Sequence, residues 1–198
     1  MRTATTAHGD LHSAGERPMN AGVRVSDLLY PNLVLADVGS GRKEEILDAI
    51  AERLARHHPG VDRYRLTVAF LKREGLMGTA LADGIAIPHA RVPELPCMIA
   101  ALARSRTGVD WGSHDGRPTH LFLALAVPDD CPGSHLKILA NASRLLHDAE
   151  CRRRMMDAPD GTALLDVLRS HEARFFGSTP PIHGVRSHQR PDGAIRTI

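Results

Sequence analysis

Residues 97–103 and 121–127 are nearly unbroken apolar runs, and they constrain the fold more than any other feature of the chain. A strand with one wet face alternates apolar and polar side chains; a continuous run is what a strand covered on both faces requires. The rest of the chain must therefore supply layers for both sides of a sheet. Residues 43–57 place Ile46, Leu47, Ile50 and Leu54 at helical spacing and stop before Pro59-Gly60. Asp62 opens a second helix through Glu74, with Tyr64, Val68 and Leu71 on one face and Gly75 as its stop. Ser134 caps a third helix that turns Leu136, Leu139, Ala142 and Leu146 inward. A shorter helix covers residues 151–156, with Met155-Met156 as core, and residues 162–172 close the unit with Leu164, Leu165 and Leu168. Short strands are expected at 32–35 and 85–87, and a polar loop or hairpin at 108–118 holds Trp111. The expectation is an α/β single domain, a mixed β-sheet flanked by helices.

A chain of 198 residues with 42% hydrophobic and 24% charged side chains can build such a core and leave residues over. The surplus is at the ends. Residues 1–22 and 177–198 lack hydrophobic periodicity and read as flexible extensions around a domain at 23–176. The formal charge of +2 belongs to the C-terminal extension, where Arg186, Arg190 and Arg196 face Asp192; residues 23–176 balance at zero. That balance argues against a nucleic-acid binder, and 4% aromatics argue against a stacking platform for single strands. No apolar run reaches the ~18–20 residues of a membrane-spanning helix. Cys97, Cys131 and Cys151 form no CxxC pair, and the N-terminus has no apolar signal stretch. The cytoplasm is the expected compartment, with Met19 offering a second start point.

The common cofactor motifs are missing. Gly39-Ser40-Gly41-Arg42-Lys43 has Glu44 where a phosphate loop needs Ser or Thr, and it reads as a turn entering a helix. No GxGxxG, GxSxG or HExxH occurs. Twelve histidines invite a metal reading, but Cys131 with His135, or His114 with His120, falls short of a convergent ligand set. His89 stands apart: it follows the short apolar strand Ile85-Ala86-Ile87 and a proline that fixes its backbone approach. On position alone, a loop histidine of no consequence is the better reading.

The residues around His89 supply context. The chain resembles the enzyme IIA domains of the bacterial phosphoenolpyruvate-dependent phosphotransferase system, fructose/mannitol type, over about residues 25–172. Nitrogen-regulatory (PtsN-like) members look closest. The resemblance is carried by Gly84-Ile85-Ala86-Ile87-Pro88-His89, by Lys72-Arg73-Glu74 with Arg73 sixteen residues upstream of His89, and by Ser134-His135-Leu136 beyond the apolar run and Pro128. Residues 117–122 and Cys151-Arg152-Arg153 are similar to the nitrogen-type members in particular. Ala90 stands where those members usually carry glycine, and the turn at 77–83 is worded differently.

The resemblance implies that His89 accepts a phosphoryl group, forming a phosphohistidine intermediate, so the chain acts as a transferase. A neutral imidazole is a competent nucleophile near pH 7, and phosphoryl transfer otherwise needs positioning and charge stabilisation. Arg73, in the last turn of its helix, either complements the helix dipole alone or donates its planar fork to phosphoryl oxygens; the resemblance favours the second. His135, at a helix N-terminus, should stay neutral and donate one N–H to the group. Thr79 is a weaker hydroxyl donor. Glu74 reads as a solvated or helix-pairing charge, and His114, His120, His147 and His171 as surface or core residues. No metal or organic cofactor is expected. The implied donor is an HPr-type carrier protein charged by an enzyme I, docking on an apolar rim around His89. The implied outlets are regulatory partners such as potassium transporters or sensor kinases, or else a cysteine on an enzyme IIB. A binding module that has lost turnover is a third reading, against which the intact Arg73, His89 and His135 argue.

Overall fold

A computed structural model describes residues 24–93, 95–129 and 132–176. The expected extensions, Met19 and Cys131 lie outside them. Among the described residues six strands form one mixed sheet: β1 (Val34–Leu35), β2 (Ala80–Leu81), β3 (Ile85–Ala86), β4 (His89–Arg91), β5 (Ile99–Val109) and β6 (Thr119–Val127). Five helices accompany them: α1 (Lys43–His57), α2 (Arg63–Leu76), α3 (Pro132–His147), α4 (Ala149–Asp157) and α5 (Gly161–Phe176). The strand order is β1-β5-β6-β3-β2. β5 and β6 pair antiparallel at the centre, β1 runs parallel to β5, β3 and β4 run parallel to β6, and β2 pairs antiparallel with β3.

The two apolar runs are these central strands, and their alternation explains the layers. On β5 and β6, Ala100, Leu102, Leu121, Leu123 and Leu125 join a core with Ile138, Leu146, Leu164 and Leu168 of α3 and α5. On the other face Ala101, Ala103, Phe122, Ala124 and Ala126 join a core with Leu47, Ile50, Leu54, Leu66 and Phe70 of α1 and α2. Small side chains on that second face let the α1–α2 pair lie close to the strands, with Trp111 and Phe122 filling the remaining space at 4.8 Å between ring centres.

Helix α1 spans the expected residues, opened by Glu45, which accepts from the Arg42 backbone N–H at 3.0 Å. Asp62 caps α2 by accepting from the Arg65 N–H at 2.8 Å. Other expectations need correction. Helix α2 buries Leu66, Phe70 and Glu74 and leaves Tyr64 and Val68 exposed, so the inward stripe is the other apolar one. Gly75 does not stop the helix, which continues to Leu76. Ser134 is no cap, because α3 begins at Pro132, whose fixed φ suits a first helical turn. Leu136 does not face inward: it is 69% exposed. Ala142 and Leu146 are buried as expected, Leu139 packs against them partly buried, and Ile138 and Leu145 complete the stripe. Strand β5 starts at Ile99 and runs on to Val109 through a register shift after Arg104, taking residues expected in the loop.

Candidate functional site

Strands β3 and β4 both lie along β6, opposite Leu121–Phe122 and Leu125–Val127. They are one interrupted strand, and the interruption is Ile87-Pro88. Proline has no N–H to give the ladder, so the local bonds are redistributed. The Ile87 N–H donates to the Thr79 carbonyl at 3.0 Å, and the Pro88 carbonyl accepts from Leu125 at 2.8 Å. The Ile87 carbonyl is left for a side chain. His89 takes it: its Nδ1–H donates to that carbonyl at 2.8 Å.

The other ring nitrogen meets Arg73. The Arg73 Nε–H donates to His89 Nε2 at 3.1 Å, and Nη1 donates to the Met77 carbonyl at 2.7 Å, at the C-terminal end of α2. A guanidinium can only donate, so Nε2 carries a lone pair and the proton sits on Nδ1. Arg73 thus serves the helix end with one nitrogen, as expected, and meets His89 with another. Its Nη2 has no partner among the described residues.

His135, on the first turn of α3, brings its ring to 5.6 Å from that of His89, at an interplanar angle of 52°. Its Nε2 is buried without a hydrogen-bond partner among the described residues. Burial pushes the pKa of both histidines down. The charges of Arg73 and His135 add to the effect at His89, against the bond to Ile87. Arg91 and Arg73 add to it at His135. The expected direction at His135 was the same, but desolvation, not the helix dipole, leads the causes.

The site brings Arg73, His89 and His135 together and leaves Thr79 committed elsewhere. The Thr79 hydroxyl donates to Glu74 and accepts from the Trp111 indole N–H at 3.3 Å. Glu74 is not a solvated charge. It is 7% exposed, accepts from the Thr79 N–H at 3.1 Å, and pairs with Lys43 at 2.9 Å. Arg91 went unnoticed in the sequence and Glu74 was misread, although the pattern contained both. Arg91 lies two residues beyond His89, on the same side of β4 by the period of a strand. Glu74 continues the Leu66–Phe70 spacing by four, which puts it on the buried face.

The arrangement can hold an anion beside a nucleophilic nitrogen, with Arg73, Arg91 and the neutral His135 at hand. Among the described residues no group of three or more His, Cys, Asp or Glu side chains is placed to hold a metal, and no helix is long and apolar enough to cross a membrane.

Comparison with known proteins gives the fold and the family. Over 150 residues the chain is 31% identical to the fructose-specific EIIABC component of Bacillus subtilis, covering 76% of this chain but only 24% of that longer protein. It is 32% identical over 146 residues to the nitrogen regulatory protein of Pseudomonas aeruginosa, covering 74% of this chain and 95% of that one. The fold matches the crystal structure of nitrogen regulatory protein IIA-Ntr from Neisseria meningitidis with a TM-score of 0.68 at 24% identity, covering 73% of this chain and 98% of that one. It matches IIA mannitol from Escherichia coli with a TM-score of 0.61 at 22% identity, covering 71% and 98%. Residues 27–171 match the family "Phosphoenolpyruvate-dependent sugar phosphotransferase system, EIIA 2", and the chain belongs to that family.

Proposed function

We propose that His89 Nε2 accepts a phosphoryl group from the phosphohistidine of an HPr-type carrier and that the chain signals its phosphorylation state to regulatory proteins. The observation that carries this reading is the pair of hydrogen bonds on the His89 ring, which keeps Nδ1 protonated and leaves the lone pair on Nε2. In the transfer a P–N bond forms at Nε2 while the P–N bond of the donor histidine breaks, and the donor leaves as a neutral imidazole. Nδ1 keeps its proton throughout, so His89 needs no general base. Arg73 gives up Nε2 and turns its fork to the phosphoryl oxygens, as a planar bidentate donor suits. His135 supplies a neutral N–H donor from its otherwise unpartnered Nε2. Thr79 and its hydroxyl hold Glu74 and Trp111 and do not reach the reaction.

The match over 95% of the Pseudomonas nitrogen regulatory protein favours a regulatory output, with potassium transporters or sensor kinases as the class of target. A second reading, transfer onward to a separate enzyme IIB, is favoured by the likeness to E. coli enzyme IIA mannitol, solved in complex with phosphorylated enzyme IIB. The cytoplasm is the compartment we assign to the relay, with residues 23–176 carrying the transfer.

Labelled phosphoenolpyruvate, enzyme I and an HPr-type carrier test the acceptor. Label should appear on the wild-type chain and vanish in His89→Ala; undiminished labelling of that variant would sink the assignment. Adding an enzyme IIB to the labelled chain separates the two outputs, because only the second reading moves label to its cysteine.

A further inference from the structure

The two histidines of the site are held in different ways. His89 is fixed from both sides of its ring, by the Ile87 carbonyl and by Arg73. His135 Nε2 has no partner among the described residues, so the spacing of the rings follows from where α3 lies along β3 and β4. Ile138, Ala142, Leu145 and Leu146 seat α3 in the core. Apolar burial of this kind resists withdrawal of the helix more than a small slide along the sheet, because it is non-directional.

Arg152, on α4, is placed to stop that slide. Its Nη1 donates to the Leu146 carbonyl in the last turn of α3 at 3.0 Å, and its Nη2 donates to Asp83 at 3.2 Å, in the turn that leads into β3. Its neighbour Arg153 stays within α4, on Glu150 and Asp157. Leu146 stands eleven residues after His135, about 16 Å along the helix. Asp83 stands six residues before His89. Helix and strand thus run side by side, with the two rings meeting at one end and Arg152 joining the elements at the other.

Asp83 carries the second observation. Among the described residues it alone, glycines aside, has a positive φ, at 65°. Glycine takes that conformation without strain, whereas a larger residue there is held by its contacts. The Asp83 carboxylate holds Arg152, with Arg117 farther off at 3.9 Å. That carboxylate is 44% exposed, and an ion pair so open to water adds little to stability. What the pair supplies is geometry. Neither Arg152, Leu146 nor Asp83 lines the groove of about 750 Å³ into which the site opens, so a carrier seated there does not touch them.

Resting on the reading of His89 as phosphoryl acceptor, we propose that Arg152 is a positioning residue for the transfer. By bridging the Leu146 carbonyl and Asp83 it fixes the offset of α3 along β3 and β4, and with it the reach of His135 to a phosphoryl group on His89.

Labelling from phosphoenolpyruvate, enzyme I and an HPr-type carrier tests this in two variants. Asp83→Gly deletes the carboxylate at a φ that suits glycine, so the turn is kept, and Arg152→Ala removes the bridge itself. Each should lower kcat by roughly tenfold with KM unchanged, as a displaced catalytic group does. The melting temperature of Asp83→Gly should not fall. In a His135→Ala background the same substitutions should cost nothing further, because the ring they displace is gone. In the unphosphorylated chain, NMR cross-peaks between the His89 and His135 rings should weaken in both variants. Wild-type kcat in both, an equal loss with and without His135, or cross-peaks of undiminished strength overturns the role of Arg152 and leaves the acceptor reading standing. Absence of label on the wild-type chain overturns both.

Discussion

At His89 two hydrogen bonds divide the imidazole between holding and reacting. The Ile87 carbonyl fixes the ring and its proton, and Arg73 occupies the nitrogen that the proposed phosphoryl group would take. If Arg73 works on the transition state, Arg73→Ala should lower kcat for phosphorylation by ~10²–10³ with an unchanged circular dichroism spectrum. Arg73→Lys should recover part of the rate and none of the fork geometry. A wild-type rate in Arg73→Ala would reduce Arg73 to its bond with the helix end. The pH dependence gives a second measurement. Burial holds the His89 pKa below its ordinary value, so the nucleophilic form persists as pH falls and the acid limb of the rate profile lies below pH 6.5. Arg73 is one of the charges pressing that pKa down, so Arg73→Ala should move the limb to higher pH. The two histidines and the arginine were legible in sequence because they sit in separate, ordered motifs. The Ile87 carbonyl was not, because its role follows from a ladder bond that Pro88 withholds.

Helices α2 and α3 show where element-level reading fails and why. Both sequences contain two overlapping apolar stripes, and spacing alone does not say which one the sheet takes. In α3 the choice fell on Ile138, Ala142, Leu145 and Leu146, leaving Leu136 beside the site. Ile138→Ala should therefore cost about 2–4 kcal/mol in a denaturation experiment, whereas Leu136→Ala should stay within about 0.5 kcal/mol. Equal losses would restore the rejected register. In α2 the stripe that won carries Glu74 inward, which the fold tolerates because Lys43 and the Thr79 N–H and hydroxyl satisfy it. Glu74→Ala removes a carboxylate from a largely buried pair and should cost about 3 kcal/mol. It should also loosen the 77–79 turn whose Met77 carbonyl holds Arg73, so lost stability should come with slower transfer. By contrast α1 was readable to the residue, since it has one apolar stripe, acids in its first turn and a Pro-Gly stop.

Across the whole molecule, the two-sided sheet leaves histidines in places where water is scarce. His58, His89, His135 and His171 come from different elements, and in each case burial is the leading cause of a pKa held below the ordinary value. Near His171, Asp148 pulls the other way while Arg154 and Arg174 reinforce burial. In the unfolded chain all four would take up protons at about pH 6.5. Between that pH and the lower folded values, the unfolded state binds more protons than the folded one, so stability rises with pH there. The contribution is complete above pH 6.5 and is withdrawn as pH falls below it. Carboxylates held low, such as Asp37 and Asp48, lose theirs only in more acid solution, because the unfolded reference is near 4. The melting temperature should therefore be level from pH 8 to 7 and decline between pH 6.5 and 5, before any carboxylate titrates. His58→Gln removes one of the four protonation sites, at a position away from the groove, and should flatten that decline without touching transfer. A melting temperature that holds steady from pH 7 to 5 would mean that these imidazoles are as accessible to protons folded as unfolded. The dry, two-sided packing argued from the apolar strands would then be wrong at all four places at once.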